Sequence, residues 1–260
     1  MININGIYIF LGFCAGAVIG SFINAAAMRS VAEKKWWGSE RSVCDHCGRT
    51  LTAPDLIPVI SYIVLQGRCR TCRNIIHPRH FLTEAGTGIV GALLVWHCGN
   101  TPALYFSFAA LFFLLFHTLT DLESGYIYDS WAISMAAAGF IMRLWGGMPA
   151  LIDGAAGAVL GFAFIYAIVV ISRGGMGMGD AMLMLGTGAI LGWKMTILSL
   201  YIGFMAGGVI VIPLLALKKI SRKDSVPLGP FLSAGVMLTI FIGQIIFQYF
   251  GFSQAWPWAI

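Results

Sequence analysis

The sequence predicts an all-α polytopic membrane protein of about eight transmembrane helices, with a small cytoplasmic loop domain. Three observations predict it. Of 260 residues, 58% are hydrophobic and only 10% are charged, against about 25% charged in soluble domains. Apolar runs near the length of a bilayer crossing recur along the chain. The basic residues gather in a few loops between those runs, so the net charge of +5 reads as a topology signal and implies no nucleic-acid partner.

The elements follow in order. Residues 7–28 form the first apolar run, which about 20 residues suffice to make a span. It has no basic segment ahead of it and is longer than the apolar core of a signal peptide, so it is read as a retained helix. Residues 29–80 are polar and hold four cysteines. Residues 81–97 and 101–120 are the second and third runs. Asp121-Leu122-Glu123-Ser124-Gly125 interrupts, then residues 127–145 and 151–171 follow. A glycine-rich segment, Gly174-Gly175-Met176-Gly177-Met178-Gly179-Asp180, precedes a short run over 181–191. Residues 195–217 and 229–252 complete the set, with a basic loop at 218–227 between them. Seven to nine spans is the range this pattern allows. The chain divides into a first transmembrane helix (1–28), a polar cytoplasmic segment (29–80) and a transmembrane domain (81–260). No internal repeat is visible.

Charge sets the orientation. Arg29, Lys34, Lys35, Arg41, Arg49, Arg68, Arg70, Arg73 and Arg79 lie in the first loop, Lys218, Lys219, Arg222 and Lys223 in the last, and Arg173 beside the glycine segment. With eight spans these loops share one face, leaving only Arg143 and Lys194 opposite. That face is expected in the cytoplasm and the N-terminus outside.

An ionisable residue at a membrane helix end is a functional hypothesis in its own right. Asp180 closes the glycine segment, where Gly177 and Gly179 let another chain approach. Its partner must lie on the same face. Asp121 fits best, with Asp129 and Glu123 behind it; Asp153 begins a span on the opposite face and is excluded. Two carboxylates held close cannot both ionise cheaply, so they share a proton near neutral pH. Such a pair can take a proton from water and give one to a scissile carbonyl, with no covalent intermediate. The competing reading is two aspartates that cap helix ends.

Cys44-Asp45-His46-Cys47 and Cys69-Arg70-Thr71-Cys72 are two C-x-x-C knuckles. Four thiolates at this spacing make a closed tetrahedral structural zinc site, and a reducing cytoplasm argues against disulfides. His46 is an alternative ligand that four sulfurs make unnecessary. Asp55, Pro58 and Ser61 between the knuckles are expected to serve turns and caps. Cys14 and Cys98 stand alone in or near apolar runs and read as buried structural thiols.

Together these residues resemble the bacterial type IV prepilin peptidases. Gly20-Ser21-Phe22-Ile23-Asn24 followed by Arg29 resembles that family's first-span signature. The paired knuckles, the stretch Asp55-Leu56-Ile57-Pro58-Val59-Ile60-Ser61, Gly67-Arg68-Cys69, Arg79 and Glu84 match its polar segment. Asp121 sits where the family places its first catalytic aspartate, Gly177-Met178-Gly179-Asp180 matches the G-x-G-D motif of the second, and Pro227-Leu228-Gly229-Pro230-Phe231 resembles the signature before the last span. The resemblance implies an aspartic protease of the bacterial inner membrane. It would cut prepilins or type II secretion pseudopilins after glycine at the cytoplasmic face. It also implies N-methylation of the new terminus with S-adenosylmethionine, although no glycine-rich loop for that donor is visible and spacing assigns it no residues. Three positions depart from the family pattern. Met182 stands where lysine is usual, Tyr128 stands where proline is usual in Ile127-Tyr128-Asp129, and Ser30-Val31 replaces Leu-Pro after Arg29. Two alternatives remain open: a methyltransferase whose protease is impaired, and a non-enzymatic transport or assembly protein with a zinc loop. The sequence is silent on oligomeric state.

Overall fold

A computed structural model describes residues 6–35, 41–172, 175–219, 226–253 and 256–258. Arg173, Arg222 and Lys223, counted above on the basic face, and Gly174 of the glycine-rich segment lie outside the described residues. The described chain is helical, with two isolated β-bridges and no longer strand. Among the described residues, six stretches are long and apolar enough to cross a membrane, one of which, Asp129–Ser172, is two helices in series. The protein is a multi-pass membrane protein. It forms two compact units, Met1–Gly99 and Asn100–Ile260, described in turn.

The first unit is built on α1 (Gly6–Val31) and α3 (Arg79–Cys98). They pack through small residues. A Cβ on Gly16 would strike the Thr87 carbonyl and one on Gly91 the Gly12 carbonyl, so the two backbones meet directly, as small residues permit in membranes. The end of this seam is polar. Asn24, 2% exposed, hydrogen-bonds His80 through its Nδ2 at 2.9 Å. Between the two helices runs the cysteine segment, with a 3-10 turn at Ala53–Asp55 and a short α2 (Ile60–Val64). Glu84 of α3 holds this segment by accepting the Val59 N–H at 2.7 Å, at a residue whose φ is +65°. Cys98 is buried and Cys14 half-buried, and neither forms a disulfide.

The second unit contains α4 (Pro102–Ser124), α5 (Asp129–Arg143), α6 (Gly147–Ser172), α7 (Met178–Leu191), α8 (Trp193–Ala216) and α9 (Gly229–Tyr249). The expected runs are therefore present, with α5 and α7 short: the 14 residues of α7 reach about 21 Å. α7 lies against α5 and α6 through glycine. A Cβ on Gly186 would sit 2.8 Å from the Ala132 carbonyl, and one on Gly188 would collide with the α6 backbone at Gly157. α4 and α9 are antiparallel. Asp121 near the end of α4 meets Gly229 at the start of α9, while Phe106 near the start of α4 packs edge-on against Trp256, beyond the end of α9.

Arg143 is wholly buried and spends its guanidinium on backbone. Nε donates to Ala189 O at 2.7 Å, Nη2 to Ile190 O at 3.0 Å, and Nη1 to both Ala150 O at 2.8 Å and Asp153 Oδ2 at 2.9 Å. The last carbonyls of α7, which a helix leaves unpaired, are thereby capped. Asp153 balances the charge, which is a structural use for the acid set aside on topology.

Candidate active site and metal centre

Asp121 lies in the last turn of α4, which stops when Gly125 takes the left-handed conformation (φ +64°, ψ +22°). A carboxylate there faces the unfavourable end of its own helix dipole. The start of α9 offsets this: Gly229 N–H, one of the orphan donors of a helix N-terminus, gives a 2.9 Å hydrogen bond to Asp121 Oδ2. A Cβ on Gly229 would lie 2.8 Å from that oxygen, so any larger residue here would force the carboxylate or the start of α9 to shift. Asp121 is 6% exposed.

Asp180 sits in the first turn of α7, on the favourable end of that helix's dipole. Gly177 is its N-cap in an extended conformation. Gly179 is pressed against Ile127: an added Cβ would be 2.7 Å from the Ile127 Cβ. Asp180 is 8% exposed and close enough to Asp121 for the two charges to act on each other. The structure thus brings Asp121 and Asp180 together in a buried place. Asp129 and Glu123 are both exposed. Tyr128 is half-buried, edge-on to Phe116 at 5.8 Å between ring centroids, and Met182 is half-buried on α7.

In the first unit the two knuckles are near copies. Cys44 N–H bonds Arg49 O and Gly48 N–H bonds Cys44 O; Cys69 N–H bonds Asn74 O and Arg73 N–H bonds Cys69 O. Gly48 and Arg73 occupy the same left-handed corner, at φ +67° and +59°. The sulfurs of Cys44, Cys47, Cys69 and Cys72 all lie within 4.8 Å of one another, and Cys44 Sγ is 3.9 Å from Cys72 Sγ. A zinc ion with bonds of about 2.3 Å needs sulfurs about 3.8 Å apart, so the set fits. Backbone N–H groups of Cys72 and Thr71 pull the Cys69 thiol down to about 6. Against the Asn74 N–H, burial and the three neighbouring sulfurs push Cys72 up to about 11. Four thiols so placed can hold a metal ion.

Asp55 does more than cap a turn. It pairs with Arg49 of the first knuckle, and Arg70 of the second donates from Nε at 2.8 Å. The Thr52 N–H and hydroxyl add bonds at 3.1 and 2.8 Å. Burial alone would raise its carboxyl, but the bonds from Thr52 and Arg70 and the charge of Arg49 hold it down at about 2. Sequence reasoning missed this bridge, whose signal was an acid placed between two arginine-bearing knuckles. It also missed Gly229 as the donor to Asp121. A cavity of about 640 Å³ in this unit is lined by Arg29, Arg41, Ser42, Thr50, Thr52 and apolar neighbours.

Buried aspartates in a helical membrane unit, in a chain that also carries a tetrathiol segment, define a class: polytopic membrane proteins built around carboxylates, with a four-cysteine loop. Comparison narrows it. Residues 14–98 match the bacterial peptidase A24 N-terminal domain and residues 108–212 the type IV leader peptidase family. A prepilin leader peptidase/N-methyltransferase of Burkholderia pseudomallei is 30% identical, the alignment covering 95% of this chain and 89% of the relative. Proteins of the same name from Stutzerimonas stutzeri and Pseudomonas aeruginosa are 25% and 26% identical, over 95% and 92% of each chain. No solved structure matches. The chain belongs to the type IV prepilin leader peptidase family.

Proposed function

We propose that this protein is an aspartic endopeptidase that removes the leader of a type IV prepilin or pseudopilin after glycine, at the cytoplasmic face of the bacterial inner membrane. The observation that carries this is the burial of both Asp121 and Asp180, each at the end of its helix and close enough for their charges to act on each other. One carboxylate accepts a proton from water as the other donates to the scissile carbonyl. A peptide bond inside a helix hides both its groups, so the substrate must be extended where it meets the pair. The glycines at the start of α7 leave room for its backbone.

The four cysteines hold one structural zinc, whose chemistry is to fold the segment between α1 and α3. The Asp55 bridge locks the knuckles across it. The names of the relatives support a second activity, transfer of a methyl group from S-adenosylmethionine to the new N-terminus. Lipid surrounds the remaining helices; nucleic acid has no place in this reading.

Purified protein with a candidate prepilin, followed by the mass of the product terminus, tests the peptidase. Asp121→Asn and Asp180→Asn should each abolish cleavage, and the double variant should be scarcely worse than either, because the two act as one unit. Asp129→Asn should keep most activity. Substantial cleavage by Asp180→Asn would end the proposal.

A further inference from the structure

Most buried hydroxyls of the second unit bond a carbonyl of their own helix. Ser107, Thr120, Thr196, Ser199 and Thr239 all do so, at 2.7 to 3.2 Å, as Ser and Thr commonly do in helices. Ser233 and Thr187 do not: their hydroxyls are buried without a partner, and so are both ring nitrogens of His117. His117 and Thr187 are fully buried and Ser233 is 5% exposed.

Two of these exceptions, His117 and Ser233, share a level in the fold. His117 lies four residues before Asp121 on α4, so it is on the same face, one turn away. Ser233 lies four residues after Gly229 on α9. Asp121 and Gly229 are in contact, and the two helices are antiparallel, so one turn back along α4 and one turn forward along α9 reach the same depth. Helix geometry therefore sets His117 and Ser233 at the same level, about 6 Å beneath the Asp121 carboxylate. Thr187 lies seven residues past Asp180, on its face of α7.

A neutral imidazole carries one donor and one acceptor, and a hydroxyl adds one donor and two acceptor positions. Leaving such groups unpaired in a membrane interior is costly, and a site with two to four polar partners is where buried water is held. We propose that His117 and Ser233 bind water between α4 and α9, one turn beneath the aspartates, and that this water orients the Asp121 carboxylate. His117 is thus a positioning residue, acting through water rather than on the substrate. This second clause rests on the peptidase reading; the hydration site does not.

Two measurements on the full-length purified protein test it. In radiolytic labelling, hydroxyl radicals formed from bound water mark the side chains that touch it, even where bulk solvent is excluded. His117 should label well above Phe106, which is equally buried but packed against Trp256 and Trp258. The inactive Asp121→Asn variant should still label at His117. In prepilin cleavage, His117→Leu should lower kcat about tenfold with KM unchanged, and His117→Gln, which keeps hydrogen-bonding atoms, should recover to within about threefold. Labelling of His117 no faster than Phe106, or full kcat in His117→Leu, would overturn the proposal. Labelling at His117 in a wild type that cleaves nothing would support the water site and overturn the peptidase instead.

Discussion

Gly229→Ala is the sharpest probe of the aspartate pair, because it adds one methyl group at a known distance. The new Cβ would sit 2.8 Å from Asp121 Oδ2, 3.3 Å from its Cγ and 3.4 Å from its Cβ. An ordinary carbon–oxygen contact is longer by about half an ångström, so either the carboxylate turns or the start of α9 withdraws. Both strain the 2.9 Å bond from Gly229 N–H. A hydrogen bond to a charged group is worth about 1.5–3 kcal/mol, and a misplacement of about 1 Å near a reacting group costs about 100-fold. The expected loss in kcat is therefore about 10- to 100-fold, with the helix itself no less stable, since alanine is the better helix former. Gly207→Ala in α8 is the control: its Cβ would meet Phe231 at an ordinary 3.6 Å, and kcat should stay within about twofold of wild type. Cleavage of a prepilin in detergent or nanodiscs, with kcat and KM measured separately, reads both. Wild-type kcat in Gly229→Ala would show that the contact with α9 does not set the geometry of Asp121.

Other perturbations test other parts. Cys69→Ser removes one of four thiolates and should release zinc, read by elemental analysis of purified protein; absence of zinc from the wild type would remove the metal centre altogether. Arg143→Met leaves Asp153 buried without its partner and should cost about 3–5 kcal/mol, seen as a lower unfolding temperature; an unchanged temperature would mean the clamp holds nothing. A cysteine introduced at Glu33 should resist impermeant reagents added outside intact cells, since the first loop is proposed to be cytoplasmic; ready labelling would invert the topology.

The parts legible in the sequence are those that repeat or cluster. Apolar runs announce helices because a span must satisfy its backbone internally. The break between α5 and α6 is visible in Gly146-Gly147-Met148-Pro149, and Gly147 does turn at φ +69°. The four cysteines announce a common site because two C-x-x-C knuckles have few other uses in a reducing compartment. The partner of Asp180 was narrowed by charge counting, which works on loops. What the pattern hides are pairings set only by packing. Gly229 and Asp121 are 108 residues apart, and no local rule joins them. Arg143 counts in the sequence as a stray charge on the sparse face; the fold instead buries it, because four backbone and carboxylate oxygens replace its water. Asp55 reads as a turn residue until the knuckles close and carry Arg49 and Arg70 to it. His117 reads as one polar residue in an apolar run, although its four-residue offset from Asp121 was there to be seen.

The two ends of α7 are held in opposite ways, and this bears on how Asp180 works. At the far end, Arg143 caps Ala189 and Ile190, and Trp258 Nε1 bonds the Leu191 carbonyl at 2.8 Å. Every one of these bonds is buried, and Gly157 and Gly188 bring the α6 and α7 backbones together nearby. At the near end, Gly175, Gly177 and Gly179 offer no side chains to pack, apart from the contact of Gly179 with Ile127. A helix anchored at one end keeps its axis, so bonds about 15 Å away help to aim Asp180, itself 8% exposed. Walls at the near end would also exclude an extended substrate. Anchoring α7 at its far end keeps the carboxylate in register with Asp121, while the exposed Gly177 and Met178 ahead of it leave room for a peptide backbone.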